Sequence, residues 1–173
     1  RMPSSETCID SAARFDTVTL CLSKGLGCPL GALLAGSEEL IARAWREKHL
    51  FGGAMRQAGI VAAAGVYALD HHVGRLAEDN ARARALATGL AAAGLPVELN
   101  RVETNFVQID LAPLGLDRAA ALAEVLAAGV GLSATIHPTV VRAVTHLEIT
   151  DDDVARAAEV IAETLGVRVP SGR

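Results

Sequence analysis

Asp16-Thr17-Val18-Thr19-Leu20-Cys21-Leu22-Ser23-Lys24-Gly25-Leu26-Gly27-Cys28-Pro29-Leu30-Gly31 is the stretch from which the rest of the chain can be read. Val18, Leu20 and Leu22 alternate with Thr17, Thr19 and Cys21, which predicts a largely buried strand over residues 16–22. Residues 23–29 form a glycine-punctuated loop, and a second short apolar strand is expected over 30–35. Lys24 stands just past the first strand's end. That strand would fix its side chain, the glycines would let a ligand approach the backbone, and apolar surroundings would disfavour the ammonium. Those are the needs of a lysine that forms a Schiff base. The plainer reading is a surface lysine in a Lys-Gly turn. Composition draws attention to the lysine: of 16 basic residues only Lys24 and Lys48 are lysine, the rest arginine. Arginine cannot shed its proton to attack a carbonyl, whereas lysine can once its pKa falls.

Working outward, residues 1–15 are polar and patternless, as in a surface loop. Ser37 followed by Glu38 and Glu39 marks a helix start, with a stop expected at Gly52-Gly53. Residues 55–93 are helical in pattern almost throughout, with a possible break at Gly74 and a close at Gly94-Leu95-Pro96. An alanine-rich helix of that length calls for another helix or a subunit against it. Strands are expected over 97–99, 106–111, 130–136 and 140–146, and helices over 117–128 and 151–165. Thr150 and Asp153 have capping-box spacing, and Gly166 is the expected stop. The fold class is therefore α/β, with a domain boundary at the Gly94–Pro96 turn separating residues 1–94 from a two-layer α/β unit over 95–173.

At 173 residues the chain is of single-domain size, against roughly 100–200 residues per domain. Hydrophobic residues make up 51% and charged ones 21%, which excludes a disordered linker. A net charge of −4 argues against a nucleic-acid partner, which needs a concentrated basic face. No apolar run reaches the roughly 18 residues of a membrane span, so no membrane insertion is expected. Cys8, Cys21 and Cys28 lack zinc-type spacing and read as reduced thiols of a cytoplasmic protein, with no metal site.

The segment around Lys24 closely resembles the cofactor-lysine segment of the low-specificity L-threonine aldolases, which belong to the aspartate-aminotransferase-like pyridoxal-phosphate enzymes. The resemblance continues through Gly52-Gly53-Ala54-Met55-Arg56-Gln57-Ala58-Gly59-Ile60, Tyr67-Ala68-Leu69 and Arg75-Leu76-Ala77-Glu78-Asp79. It then takes in Thr104-Asn105-Phe106 and Arg142-Ala143-Val144-Thr145-His146. It implies that residues 1–94 are the C-terminal part of a large, mostly parallel cofactor-binding domain and that residues 95–173 are the small domain. It also implies that Lys24 forms the internal aldimine with pyridoxal 5'-phosphate. Arg56 would line the cofactor cleft and Arg142 would grip the α-carboxylate of an amino-acid substrate. A planar fork suits a carboxylate, and an arginine among valines in a strand needs a partner. Family members often carry Arg-Lys-Met before the double glycine; here Lys48-His49-Leu50 puts His49 at the family's lysine, a change expected to alter substrate preference. His71 and His72 read as surface or interface residues, and His146 as a hydrogen-bonded structural histidine.

The activity so implied is retro-aldol cleavage of L-threonine, L-allo-threonine and related β-hydroxy-α-amino acids to glycine and an aldehyde, in a homo-oligomer, dimer or tetramer. Another pyridoxal-phosphate β-eliminating lyase is the near alternative. From a different class, residues 95–168 would form a non-catalytic amino-acid-binding or oligomerisation module, which leaves Lys24 unexplained. The family's phosphate loop, ring-stacking histidine and His-x-Asp-Gly-Ala-Arg segment do not occur here, so the chain is expected to be the C-terminal half of the enzyme, incomplete without its N-terminal half.

Overall fold

The computed structural model describes residues 12–166, which divide into one compact unit up to Leu76 and a second from Ala77. In the first unit, β1 (Thr17–Cys21) pairs antiparallel with β2 (Ala32–Gly36), Thr17 opposite Gly36 and Cys21 opposite Ala32. The Leu22 amide extends the ladder by donating to the Gly31 carbonyl at 3.0 Å. The first strand falls within the alternating stretch, and the second overlaps the apolar stretch expected over 30–35. Their pairing is antiparallel because the link between them is too short for a crossover. One expectation needs correction, since β1 is not largely buried: Val18 is 39% and Leu20 43% exposed, as a two-stranded ladder leaves its faces open. Burial is reached just past the strand, where Leu22, Leu26 and Cys28 pack with Ala68. The expected loop over residues 1–15 lies up to residue 11 outside the described residues, as does Cys8.

Helix α1 (Glu38–Leu50) begins as read from the sequence, the Ser37 hydroxyl accepting the Leu40 amide at 3.3 Å. The long helical pattern resolves into α2 (Gly59–His71) and α3 (Leu76–Ala92), broken at residues 72–75 around Gly74. Helix α3 ends in a Schellman turn: the Leu95 amide donates to the Leu90 carbonyl and Gly94 takes φ +88°, a conformation a side chain would strain.

The second unit is a three-stranded antiparallel sheet in the order β3 (Phe106–Asp110), β5 (Val140–Val144), β4 (Ser133–Ala134). One face is covered by α3, α4 (Arg118–Ala127) and α5 (Asp151–Gly166). Val107, Ile109, Val141 and Ala143 point into this core, meeting Leu86 and Leu90 of α3, Val125 of α4, and Ile161 and Leu165 of α5. The compact units divide at Leu76/Ala77, ahead of the turn at Gly94–Pro96, and Ala83, Leu86, Ala87 and Leu90 of α3 lie in the core of the second unit. Residues 97–99 are not a strand: coming straight off the turn at Pro96, they lead into a 3₁₀ turn at Leu99–Arg101. The strand expected over 130–136 shrinks to the two residues that face β5, Ser133 and Ala134. At α5 the capping box forms in full. The Thr150 amide and hydroxyl donate to Asp153 Oδ2 at 2.9 and 2.7 Å, and the Asp153 amide donates back to Thr150 Oγ1 at 3.2 Å.

Leu90 has no exposed surface and sits where α3 meets the sheet. Leu90→Ala should therefore lower the stability of this unit by about 2–5 kcal/mol, read as a fall in its urea midpoint with an unchanged slope. An unchanged midpoint would place α3 outside this core.

Candidate functional site

In the first unit the chain leaves β1 at buried Leu22, swings outward through Ser23 and Lys24, and returns to bury Leu26 and Cys28. The excursion is a tight turn closed by the Gly27 amide donating to the Lys24 carbonyl at 2.8 Å, with Gly27 at φ +72°. The Cys28 amide then donates to the Leu22 carbonyl at 3.1 Å. Lys24 is thus presented by two buried anchors on either side of it. Its side chain is exposed and makes no ion pair among the described residues. The apolar surroundings expected for it are not found, because the strand that precedes it is itself uncovered. Nearby, the Ser23 hydroxyl holds the Cys21 thiol below its ordinary pKa, helped by the Ser23 amide and the Lys24 charge.

Arg56 belongs to the same unit, in the turn ahead of α2 where Gln57 takes a left-handed φ of 53°. It is exposed, and no ion pair joins it to any described residue. His49 at the end of α1 turns back on its own helix, its Nδ1 lying 2.8 Å from the Trp45 carbonyl, while Lys48 Nζ lies 4.9 Å from the Trp45 ring centre. His146 is exposed and accepts the Glu148 amide at Nδ1, the local structural role expected of it. Of the paired histidines, His71 is exposed, whereas His72 is half-buried and reaches the Lys24 turn, its Nδ1 lying 2.7 Å from the Leu26 carbonyl.

Arg142 lies in the second unit, at the centre of β5. The pleat that buries Val141 and Ala143 turns Arg142 to the opposite, open face of the sheet, with Gln108 across from it on β3 and Ser133 on β4. Its Nε donates to Ser133 Oγ at 3.3 Å, and its guanidinium carbon sits 4.8 Å from the centre of the Phe106 ring. The partner that an arginine among valines requires is therefore a hydroxyl and an aromatic face. No carboxylate pairs with it among the described residues. This face lines an open cavity of about 950 Å³ that also takes in Phe106, Gln108, Asp110 and His137.

One cluster in that cavity has no local signature in the sequence. Asp110 Oδ1 accepts the Thr139 hydroxyl at 2.7 Å and the Ala112 amide at 3.0 Å. Thr139 Oγ1 lies 3.2 Å from His137 Nδ1, and Arg118 braces the segment by donating to the Thr135 and His137 carbonyls at 3.0 and 2.7 Å. The Ala112 amide, then the Thr139 hydroxyl, hold the Asp110 carboxyl below its ordinary pKa, with the His137 charge adding to the effect.

A family model described as Beta-eliminating lyase matches residues 4–113. The low-specificity L-threonine aldolase of Escherichia coli K12 is 43% identical over 144 residues, covering 83% of this chain and 41% of that protein. A probable low-specificity L-threonine aldolase 2 of Arabidopsis thaliana is 39% identical over 80% of this chain and 39% of its own length. Aldolase vrtJ of Penicillium aethiopicum is 37% identical over 90% of this chain and 39% of its own. The chain thus spans about 40% of the length of these relatives. Among solved structures, SPT with a PLP internal aldimine superposes with a TM-score of 0.66 at 18% identity, over 89% of this chain and 41% of that one. The 8-amino-7-oxononanoate synthase of Francisella tularensis gives 0.62 at 19% identity, over 87% of this chain and 46% of that one. These likenesses bear out the α/β fold class of the aspartate-aminotransferase kind.

A depressed carboxyl pKa stabilises the folded turn above the unfolded Asp value of about 3.9, and that contribution is lost as pH falls through the lowered folded value. Thr139→Val removes one of the two bonds, so the Asp110 carboxyl should titrate at higher pH, as read by carboxyl NMR. An unmoved titration would show that the Thr139 bond does not form in solution.

Proposed function

The chain belongs to the beta-eliminating lyase family, and from that premise we propose that the protein cleaves L-threonine, L-allo-threonine and related β-hydroxy-α-amino acids to glycine and an aldehyde with pyridoxal 5'-phosphate. The observation that carries the reading is the 43% identity to the low-specificity L-threonine aldolase of Escherichia coli K12 over 83% of this chain.

The residues present fit the cofactor. Lys24 is a primary amine held out on a glycine turn and engaged in no ion pair among the described residues, as an amine that must bond an aldehyde carbon needs to be. Lys24 would hold the cofactor covalently, and exposed Arg56 would line its cleft as a cation. Bound there, pyridoxal phosphate supplies an electron sink for the pair released when the Cα–Cβ bond breaks. Arg142 would take the α-carboxylate in a two-pronged grip, its plane steadied by the Phe106 ring below and Ser133 Oγ at Nε. A fork held this way fixes the orientation of the amino acid as well as its affinity, and orientation decides which bond at Cα is cleaved.

In this reading the unit up to Leu76 closes a large cofactor-binding domain, the unit from Ala77 is the small domain, and the enzyme works as a cytoplasmic homodimer or homotetramer. The self-contained core of the second unit favours a rival, a free-standing amino-acid-binding module. That rival predicts no visible absorbance from a lysine-bound cofactor.

Two measurements on the full-length protein test the proposal. Borohydride reduction followed by peptide mapping should place the pyridoxyl label on Lys24, and Lys24→Ala should abolish both the label and threonine cleavage; a fully active Lys24→Ala would end the idea. Arg142→Ala should weaken threonine binding by about 1.5–3 kcal/mol while the label on Lys24 persists. Unchanged threonine kinetics would remove Arg142 from the substrate site.

A further inference from the structure

The Lys24 side chain is exposed and makes no ion pair among the described residues, so the backbone of the four-residue turn that it opens sets where it starts from. That turn is fastened at three places within its own unit. Gly27 closes it onto Lys24, and Cys28 ties it back to Leu22 through its amide and to α2 through its thiol, 3.5 Å from the Ala64 carbonyl. The third is the Leu26 carbonyl, 2.7 Å from His72 Nδ1 across 46 positions of sequence. A carbonyl only accepts, so Nδ1 carries the proton, and the imidazole donates whether neutral or charged. His72 is itself immobilised. It caps α2 with its amide on the Ala68 carbonyl at 2.8 Å, and its ring stands edge-on to Tyr67 with centroids 5.5 Å apart.

We propose that His72 is the positioning residue for Lys24: through its Nδ1–H bond to the Leu26 carbonyl it locks the Lys24–Gly27 turn, and with it the ε-amine, in the geometry that retains pyridoxal phosphate. This rests on the proposed function. Leu22 and Leu26 hold the turn by non-directional apolar contact, so the peptide between Leu26 and Gly27 takes its orientation from two hydrogen bonds, its N–H to the Lys24 carbonyl and its C=O from the imidazole. The first bond lies within the turn and moves with it, whereas the second ties the turn to α2. Gly27, at positive φ and without a side chain, adds no steric restraint of its own.

The test compares three variants of the full-length protein. His72→Asn keeps a donor at nearly the place of Nδ1. His72→Leu removes the donor and keeps bulk, and His72→Ser removes the reach without adding an apolar group, which covers the case in which the leucine variant does not fold. Two readouts are taken: hydrogen exchange of the Gly27 and Cys28 amides without cofactor, and the rate at which the visible absorbance of the lysine-bound cofactor is lost on dilution. One hydrogen bond's worth of restraint predicts about 3- to 10-fold faster exchange and cofactor loss in His72→Leu or His72→Ser, with His72→Asn near wild type. If all three match wild type, or if His72→Asn is as impaired as the other two, the positioning role is wrong although Lys24 still carries the label. Wild-type protein that takes no label at Lys24 overturns the proposed function, and the role with it, whatever the exchange rates show.

Discussion

The alternation of side chains across β5 is the constraint on which the second unit depends. Burying Val141 and Ala143 against three helices obliges Arg142, between them, to stand on the other face, together with Gln108 opposite. A slip of one residue would put a guanidinium into an apolar core and two apolar side chains into water, a change of many kcal/mol in the wrong direction. Packing on one face therefore sets what the other face offers to a ligand. The Phe106 ring and Ser133 hydroxyl then refine a direction that the pleat has already chosen.

The first unit works on a different principle. Its ladder is open on both sides, and its few buried side chains gather at the turn beyond β1 rather than along the strands. Leu22 and Leu26 are buried while Lys24 between them is exposed, and hydrogen bonds from Gly27, Cys28 and His72 set the turn that separates them. Each buried leucine contributes roughly 1.5–3 kcal/mol without direction, whereas the hydrogen bonds contribute less and supply the angles. The pattern of exposure agrees with this division: Val18, Leu20, Leu33 and Leu34 remain open to solvent while the turn is anchored.

What could be read from the residues alone followed local rules. The alternation over residues 17–21, the Ser37 cap, the Thr150–Asp153 box and the Gly94 close are written within a few positions of chain, and each forms. So is the identity of Lys24 and Arg142 as candidates, since lysine is rare here and an arginine is out of place among valines. The boundary at Leu76/Ala77, the short β4 and the exposure of β1 depend on which surfaces meet, and no spacing rule reports that.

The sequence by itself determined the class of the fold, the strand-turn-strand that presents Lys24, and the residue types able to bond an aldehyde and a carboxylate. These follow from periodicity and from the chemistry of single side chains. Tertiary structure alone decided that α3 joins the second core, that Arg142 is steadied by Phe106 and Ser133, that Asp110 is bound to Thr139, and that His72 reaches Leu26. The last two contacts join residues 29 and 46 positions apart. Over such separations the closure of the chain, and so the meeting of the partners, is settled by the packing of whole helices and strands, which no short window of sequence contains.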